Sequence, residues 1–347
     1  MAMSQRTEKK PDSLQQPLGG AMTALLESGV PGLCGPVSIS PLPGGRSNPT
    51  FLLDAATGRY VLRSRPAGNP SPWAHRIDRE VRVLTALEGS DIPVPPVLLH
   101  VADPSHFGEP FYLMPLIDGA AEEDPALPAL SPRQRISAYE QAIDILARLH
   151  RLSPGAIGLT GFGSPGDYNR RQLSRWSEQV AADGNAPPAL LELGSLLSRV
   201  LPPQSRTSIV HGDYRFGNML FADGRVTAVL DWELSTLGDP FADLAYFLLA
   251  FDLPHDSPIL PGLAGRSRSG SGIPAPAALI ERYCRTTGAV LPVAWRAYRA
   301  FALYRTAAIA RGVLHRNAAG AIAPDLFHHL DTIAEAGLRH LGGGPTP

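Results

Sequence analysis

Between residues 37 and 114, the hydrophobic positions follow the two-residue period of β-strands, interrupted by one stretch with helical spacing. The run VSISPLPGGRSNPTFLLDAATGRYVLRSRP (37–66) predicts three short strands, with turns at Gly44–Gly45 and Ala56–Gly58. In SPWAHRIDREVRVLTALEG, hydrophobic residues recur three and four positions apart, which predicts an amphipathic helix. The following run, VPPVLLHVADPSHFGEPFYLMPLIDG, returns to strands with a hairpin near Ser105–Gly108.

After Gly119 the hydrophobic spacing becomes helical. Ser131 is followed three residues later by Gln134, with Pro132 at the first helical position, a pattern typical of a capped helix start. The segment 254–276 is rich in Pro, Gly and Ser and is predicted to be a flexible loop. Further helices are predicted at about 168–182, 188–200, 240–251, 275–286, 292–317 and 324–340.

These two patterns predict an α+β chain made of two lobes. Residues 21–114 are expected to form a small β-rich N-lobe, residues 115–119 a hinge, and residues 120–347 a larger helical C-lobe. Residues 1–20 are polar and are predicted to be a disordered tail.

Composition and charge disfavour several classes of function. The net charge of −1 over 347 residues gives no reason to expect nucleic acid or a membrane surface as the main partner. The longest apolar run, residues 244–251, is too short to span a bilayer, and the N-terminus lacks the apolar core of a secretory signal. Cys34 and Cys284 are expected to be separate reduced thiols rather than a disulfide. We therefore expect a cytoplasmic enzyme or binding protein.

The densest group of polar residues is HGDYRFGN, residues 211–218, which lies between two strand-like runs. It contains Asp213 and Asn218, and Asp231 follows in VTAVLDWE at the end of a β-branched strand. Between the two motifs, Asp223-Gly224 is a hairpin turn signal. Because a hairpin folds the chain back on itself, we expect Asp231 to lie next to Asn218.

Such a group of oxygen-bearing side chains suits phosphoryl transfer. One carboxylate must orient the attacking hydroxyl and receive its proton, and hard oxygen ligands must hold Mg²⁺. Asp213 suits the first role, while Asn218 and Asp231 suit the second. Any one of these residues alone would more readily be explained as the cap of a turn. The combined spacing, with a hairpin between, favours a kinase.

HGDYRFGN followed by LDWE resembles the aminoglycoside phosphotransferase family, a branch of the protein-kinase-like fold, whose motif reads His-Gly-Asp-x4-Asn and then hydrophobic-Asp-Trp. VLDWELSTLGDPFADLAYFLL, GGRSNPTFLL, RYVLRSRP and DREVRVLTAL look closest to the kinase-like domain found with some acyl-CoA dehydrogenases. The resemblance runs from about residue 37 to residue 340. It implies a two-lobed kinase-like fold that uses ATP and Mg²⁺.

The resemblance also implies roles for N-lobe residues. Arg63 stands where many relatives have a lysine that grips the nucleotide phosphates. Glu80 is expected to pair with Arg63, because an unpaired carboxylate on the apolar stripe of its helix is costly; the alternative is a solvated Glu80 at the edge of that stripe. The remaining nucleotide contacts are expected from the loop residues Gly44, Gly45, Arg46, Ser47 and Asn48 and from the hinge backbone at Met114 and Leu116.

Three residues around the catalytic motif are expected to support it. His211 precedes the catalytic aspartate in the family motif and is expected to brace the loop, with a general-base role as the alternative. Asp243 is expected to tie the loop to a helix N-terminus, and Asp239 to be structural.

The acceptor is inferred from the charge of segment 260–320, where one acid, Glu281, stands against nine arginines. This balance favours an anionic acceptor such as an acyl-CoA over a polycationic aminoglycoside, although several arginines could cover helix faces or pair with acids elsewhere. The arginines are Arg266, Arg268, Arg282, Arg285, Arg296, Arg299, Arg305, Arg311 and Arg316. With the resemblance, they point to a kinase for a hydroxyacyl-CoA, such as a 4-hydroxyacyl-CoA. The alternatives are an aminoglycoside or other small-alcohol kinase, and a nucleotide-binding pseudokinase.

Overall fold

The chain divides into two units close to the point where the hydrophobic period changes. One unit comprises residues 1–85 and 95–116, and the other comprises 86–94 and 117–347. The division after residue 116 falls inside the segment predicted as a hinge. The computed structural model describes residues 16–42, 48–66, 76–164, 166–182, 184–204, 206–317 and 324–343.

The first unit is built on an antiparallel sheet with the strand order β1-β2-β3-β4-β6-β5. The three strands and the hairpin predicted from the alternating pattern are present. The strands are β1 (Gln16–Pro17), β2 (Val37–Pro41), β3 (Thr50–Ala55), β4 (Gly58–Ser64), β5 (Leu99–Val101) and β6 (Phe111–Pro115). The helices of this part of the chain are α1 (Gly20–Gly29) and α2 (Arg76–Leu87).

Two features at the start of the chain differ from the sequence-based expectation. Helix α1 was not predicted; it buries Met22 and Leu26 in a core shared with Leu53 and Leu62 of the sheet. Residues 16–20 are not part of a disordered tail, because Gln16–Pro17 pairs with β2. A two-residue strand carries no readable alternation, so its pairing depends on β2 and not on a local signal. Residues 1–15 lie outside the described part of the chain.

The second unit is mainly helical, as predicted. Ser131 caps α3 with a complete capping box: its hydroxyl accepts the N–H of Gln134, whose side chain reaches back to the Ser131 N–H. The helices are α3 (Pro132–Arg151), α4 (Tyr168–Ala182), α5 (Pro188–Val200), α6 (Pro240–Phe247), α7 (Pro276–Thr287), α8 (Trp295–Asn317) and α9 (Pro324–Leu341). Across the described ranges, no helix combines the length and apolar character needed to cross a bilayer.

The described part of the second unit also contains five short strands. They are β7 (Ala120–Ala121), β8 (Ser208–Val210), β9 (Met219–Ala222), β10 (Arg225–Val229) and β11 (Thr236–Gly238). Strands β9 and β10 form the predicted hairpin, since Arg225 pairs with Ala222 across Asp223-Gly224. Both turn residues have positive φ, 50° and 74°, as a type I′ turn requires. Strand β8, which leads into the motif at residues 211–218, pairs with β11.

The Pro-, Gly- and Ser-rich segment 254–276 forms a loop up to the start of α7, as predicted, and several contacts join it to the rest of its unit. The Leu263 N–H donates to the Ala250 carbonyl at 2.7 Å. Arg266 forms an ion pair with Asp124 at 2.9 Å, and the Ser271 carbonyl accepts a hydrogen bond from Arg135. Composition indicated an irregular backbone, but it could not show these contacts with distant residues.

A buried ion pair links α8 to the residues that follow α6. Asp252 accepts hydrogen bonds from Arg299 on α8 and lies 3.1 Å from Nε2 of His340 on α9. Burial acts to raise the pKa of Asp252, but the hydrogen bond from His340 and the charge of Arg299 outweigh it and lower the pKa. The carboxylate is therefore ionised at neutral pH.

We predict that Asp252→Ala destabilises the fold, because it leaves the buried Arg299 guanidinium uncompensated. Removal of one partner of a buried pair costs about 3–5 kcal/mol in the free energy of unfolding. Urea denaturation of the variant measures this loss, with Glu335→Ala, an exposed acid on α9, as the matched control. A change below about 1 kcal/mol for Asp252→Ala would contradict this account of the pair.

Candidate active site

Asp243, in the first turn of α6, fixes the start of the motif loop. Its carboxylate accepts the backbone N–H of His211 at 2.6 Å and that of Gly212 at 2.9 Å. Burial acts to raise the pKa of Asp243, but its contact with His150 and the His211 N–H outweigh this effect and lower the pKa. Gly212 has φ +86°, and a Cβ there would lie 2.8 Å from the Leu234 carbonyl oxygen, so the position requires glycine. The predicted tie between the loop and α6 is present.

His211 lies fully buried inside the same loop. Its Nδ1 accepts the Asp213 N–H at 3.2 Å, so its proton is on Nε2, which donates to the Leu230 carbonyl at 2.9 Å. The ring also packs on Trp232, with 4.6 Å between the ring centroids. Because both nitrogens are engaged, neither can take a proton from a substrate. The geometry therefore favours the bracing role over the general-base alternative.

Asp213 is oriented by two side chains of its own loop and by one from α6. Asn218 Nδ2 donates to Asp213 Oδ2 at 2.8 Å, and the Tyr246 hydroxyl donates to Oδ1 at 2.5 Å. The Nε of Arg215 lies 3.5 Å from the same Oδ1. Burial and the charge of Asp213 raise the pKa of the Tyr246 phenol well above its ordinary value, so the hydroxyl remains a donor. Since both carboxylate oxygens are held, the direction of the carboxylate is fixed.

The hairpin places Asp231 beside Asn218. Met219 pairs with Val229, and the Leu230 N–H donates to the Asn218 carbonyl at 2.8 Å, so the next residue along is Asp231. Asp231 has a left-handed backbone, with φ 63° and ψ 59°. Such conformations cost of order 1–3 kcal/mol in a residue other than glycine and concentrate at functional sites. Asp231 therefore lies next to Asn218, as expected, and its backbone is strained.

In the first unit, Arg63 and Glu80 form the expected pair. The Arg63 Nε lies 3.0 Å from Oε2 of Glu80. Glu80 is 1% exposed, which contradicts the alternative of a solvated carboxylate. Arg63 lies on β4, opposite Thr50 of β3 and Tyr112 of β6, so the sheet fixes the backbone that carries the pair.

The other nucleotide-binding residues are described only in part. Gly44, Gly45, Arg46 and Ser47 lie outside the described ranges, while Asn48, which follows them, is buried. In the predicted hinge, the Leu116 N–H donates to the Arg59 carbonyl at 3.0 Å, and Met114 pairs with Val61 in the sheet. The Leu116 N–H is therefore already used within the sheet. If Leu116 contacts adenine as predicted, it must do so through its carbonyl oxygen.

Two contacts at the site were not predicted. Tyr246 lies in the apolar run 244–251, and Arg215 lies in the motif 211–218. Neither position indicated that the side chain would contact Asp213. Tyr246 also lies under Arg305, whose guanidinium carbon is 5.3 Å from the ring centroid. Arg305 is buried and donates to the Gly212 carbonyl at 2.6 Å. The only sequence signal for Tyr246 is that it lies three residues after Asp243, on the same side of α6.

Most of the arginines that suggested an anionic acceptor are engaged within the second unit. Arg305 is buried against the motif loop, as described above. Four others form ion pairs: Arg266 with Asp124, Arg282 with Asp144, Arg285 with Glu281, and Arg299 with Asp252. The partners of three of these lie outside segment 260–320, so a charge count over that segment missed them. The count alone therefore does not support an anionic acceptor.

The fold and this site define a phosphotransferase of the kinase-like class, and comparison with known proteins agrees. The model of the "Phosphotransferase enzyme family" matches residues 38–304, and the chain belongs to that family. A candidate aminoglycoside phosphotransferase from Ralstonia eutropha is 34% identical, with a TM-score of 0.83 over 95% of this chain and 100% of that one. The aminoglycoside phosphotransferase APH(4)-Ia, in a complex with ADP and hygromycin B, is 16% identical, with a TM-score of 0.56 over 90% of this chain and 97% of that one, and shares the fold.

Curated relatives are longer than this chain. The mouse protein "Acyl-CoA dehydrogenase family member 10" is 42% identical over 289 residues, which is 82% of this chain and 27% of that protein. The human "Acyl-CoA dehydrogenase family member 11" is 37% identical over 313 residues, which is 87% of this chain and 40% of that protein. The aligned region therefore spans less than half the length of these relatives.

We predict that Tyr246→Phe lowers kcat about tenfold while leaving the KM for ATP unchanged. The substitution removes the donor that holds Asp213 Oδ1. If Asp213 accepts the proton, as expected from the motif, its misplacement raises the barrier; a tenfold loss is about 1.4 kcal/mol. The measurement is ADP release with the acceptor that supports the highest rate.

Tyr304→Phe is the matched control, since Tyr304 is another buried tyrosine and its hydroxyl contacts Ser177 on α4. Its kcat should stay within twofold of wild type. Equal losses in the two variants would show that Tyr246 acts through general packing and not through Asp213.

Proposed function

We propose that this phosphotransferase transfers the γ-phosphoryl group of ATP to the hydroxyl of a hydroxyacyl-CoA, such as a 4-hydroxyacyl-CoA. The observation that carries the reaction type is the Asp213 carboxylate, held at Oδ1 by Tyr246 and at Oδ2 by Asn218. A carboxylate fixed in this way can orient a hydroxyl group and take its proton without reorganising during the reaction.

In the proposed reaction, Asp213 accepts the proton of the acceptor hydroxyl. The hydroxyl oxygen forms a bond to the γ-phosphorus, and the bond from that phosphorus to the β–γ bridging oxygen breaks, which releases ADP. Arg63 is proposed to hold nucleotide phosphate. Its guanidinium is kept in place by Glu80, and the planar guanidinium fork matches the geometry of phosphate oxygens.

The residues of the second unit fit a Mg²⁺ ion that arrives with the nucleotide. Both hydrogen bonds that Asn218 donates from its side chain use Nδ2, which orients the amide and leaves Oδ1 as an oxygen ligand. Asp231 supplies a carboxylate next to it. Within the described ranges no group of three or more His, Cys, Asp or Glu could hold a metal, so Mg²⁺ would also need phosphate oxygens, as is usual for this ion. When bound, it neutralises charge on the phosphates.

The acceptor class is supported by the relatives. Proteins 42% and 37% identical to this chain are named as acyl-CoA dehydrogenase family members, which suggests that the matching domain acts on acyl-CoA compounds. The alternative is an aminoglycoside or other small alcohol, supported by the Ralstonia eutropha structure described as a candidate aminoglycoside phosphotransferase. A nucleotide-binding pseudokinase is disfavoured because Asp213, Asn218 and Asp231 are all present.

We predict that Asp213→Asn lowers kcat by at least 100-fold while binding of Mg·ATP, measured by calorimetry, stays within a few fold of wild type. Asparagine keeps the shape of the side chain but cannot accept the proton, and a general base contributes about 10²–10⁴ to the rate. Asp223→Asn in the hairpin turn is the control, because that residue is exposed and asparagine tolerates its positive φ. Wild-type turnover in Asp213→Asn would exclude Asp213 as the base.

A panel of acceptors with Mg·ATP, read by ADP release, tests the substrate class. We expect turnover with 4-hydroxyacyl-CoAs above the rate without acceptor, and none with kanamycin. Matched acyl-CoAs that lack the hydroxyl are the control, since they can bind but cannot be phosphorylated there. Turnover with kanamycin and none with any hydroxyacyl-CoA would overturn the acyl-CoA proposal and favour the aminoglycoside alternative.

A further inference from the structure

A narrow apolar pocket opens beside the catalytic aspartate in the second unit. Tyr246 and Arg215 are among its lining residues, and both contact Asp213 Oδ1 with their polar atoms. The pocket is therefore separated from Asp213 by no more than the two side chains that hold its carboxylate. Its walls are apolar and include Tyr139, Phe247, Leu249, Leu253, Leu260 and Pro261.

The pocket has little capacity for a charged or bulky group. Its charged lining residues, Glu123 and Arg215, pair with each other at 2.5 Å. The free volume inside is about 40 Å³, against the ~10–15 Å³ that one water molecule needs. A slender alkyl chain suits this space, whereas an amino sugar or the polyanionic CoA group does not.

One wall of the pocket comes from the strap 254–264, whose path is fixed. The Gly262 N–H donates to the Pro254 carbonyl at 3.0 Å, and the Leu263 N–H to Ala250. A Cβ on Gly262 would lie 1.9 Å from the Leu253 carbonyl oxygen, so the strap packs directly on the backbone before it. Leu260 and Pro261 are therefore held at the pocket and limit its depth.

We propose that this pocket receives the alkyl tail of the acceptor beyond its hydroxyl group, so that Leu260 and Pro261 set the tail length. The inference rests on the proposed function, since it requires a hydroxyacyl-CoA as acceptor. With the hydroxyl at Asp213 and the tail in the pocket, the thioester and the CoA group extend away from the pocket. The enzyme then senses the number of carbons after the hydroxyl.

The test uses 4-hydroxyacyl-CoAs whose tails beyond C4 grow one methylene at a time. In the wild type, kcat/KM should rise roughly fourfold per methylene, the gain expected for burial of a CH₂ group, until the pocket is full. Leu260→Trp should fill the pocket. The preference for the best wild-type substrate over the shortest one, measured as the ratio of their kcat/KM values, should then fall by at least tenfold. Leu260→Ala should move the optimum to a longer tail.

Leu191→Trp on α5 is the control, since Leu191 is 50% exposed and lies outside the pocket. It should keep the wild-type dependence on tail length. If kcat/KM in the wild type does not depend on tail length, the tail pocket is wrong while the proposed function stands. The same conclusion follows if Leu260→Trp and Leu260→Ala, like the control, keep the wild-type dependence on tail length. If the wild type phosphorylates no hydroxyacyl-CoA at all, the proposed function fails and the tail pocket fails with it.

Discussion

The site depends on one buried carboxylate, Asp243, which accepts two consecutive backbone N–H groups at the start of the motif loop. Without this acceptor, the N–H groups of His211 and Gly212 would be buried and unsatisfied, each at a cost of about 1–3 kcal/mol. Gly212 allows the sharp positive-φ bend that points both groups at the carboxylate. Asp213, the next residue, is thereby presented from a loop of fixed shape.

The periodicity of helix α6 allows it to anchor the motif loop, to hold Asp213 and to line the apolar pocket. Asp243 anchors the loop, and Tyr246, three residues later on the same side of the helix, donates to Asp213. Phe247 and Leu249, at the end of α6 and just beyond it, turn into the wall of the apolar pocket. One element therefore positions Asp213, the proposed base, and shapes the space beside it. The helix that holds Asp213 also lines the pocket. The shape of that pocket is therefore better evidence for the acceptor than the charge of segment 260–320.

Local patterns in the sequence predicted the elements and part of the site. Periodicity predicted most of the strands and helices but not α1 or β1. The turn signal at Asp223-Gly224 predicted the hairpin, and the cost of an unpaired Glu80 predicted its pairing with Arg63. Other contacts between residues distant in sequence left no local signal of this kind. In the sequence, Tyr246 is simply part of an apolar run. Periodicity predicts that such a residue is buried, but it does not predict which carboxylate its hydroxyl contacts. The arginines after residue 260 misled for the same reason, because a charge count does not include partners such as Asp124 and Asp144.

The central claim is that Asp213 directs phosphate to a hydroxyl on an acyl chain. The most direct test is mass spectrometry of the products formed from 4-hydroxyacyl-CoA and ATP labelled with ¹⁸O in its γ-phosphoryl group. The account predicts one phosphorylated acyl-CoA for each ADP, with the labelled phosphate on the acyl-chain hydroxyl. Release of labelled inorganic phosphate without a phosphoester, or a label on the CoA group itself, would contradict it.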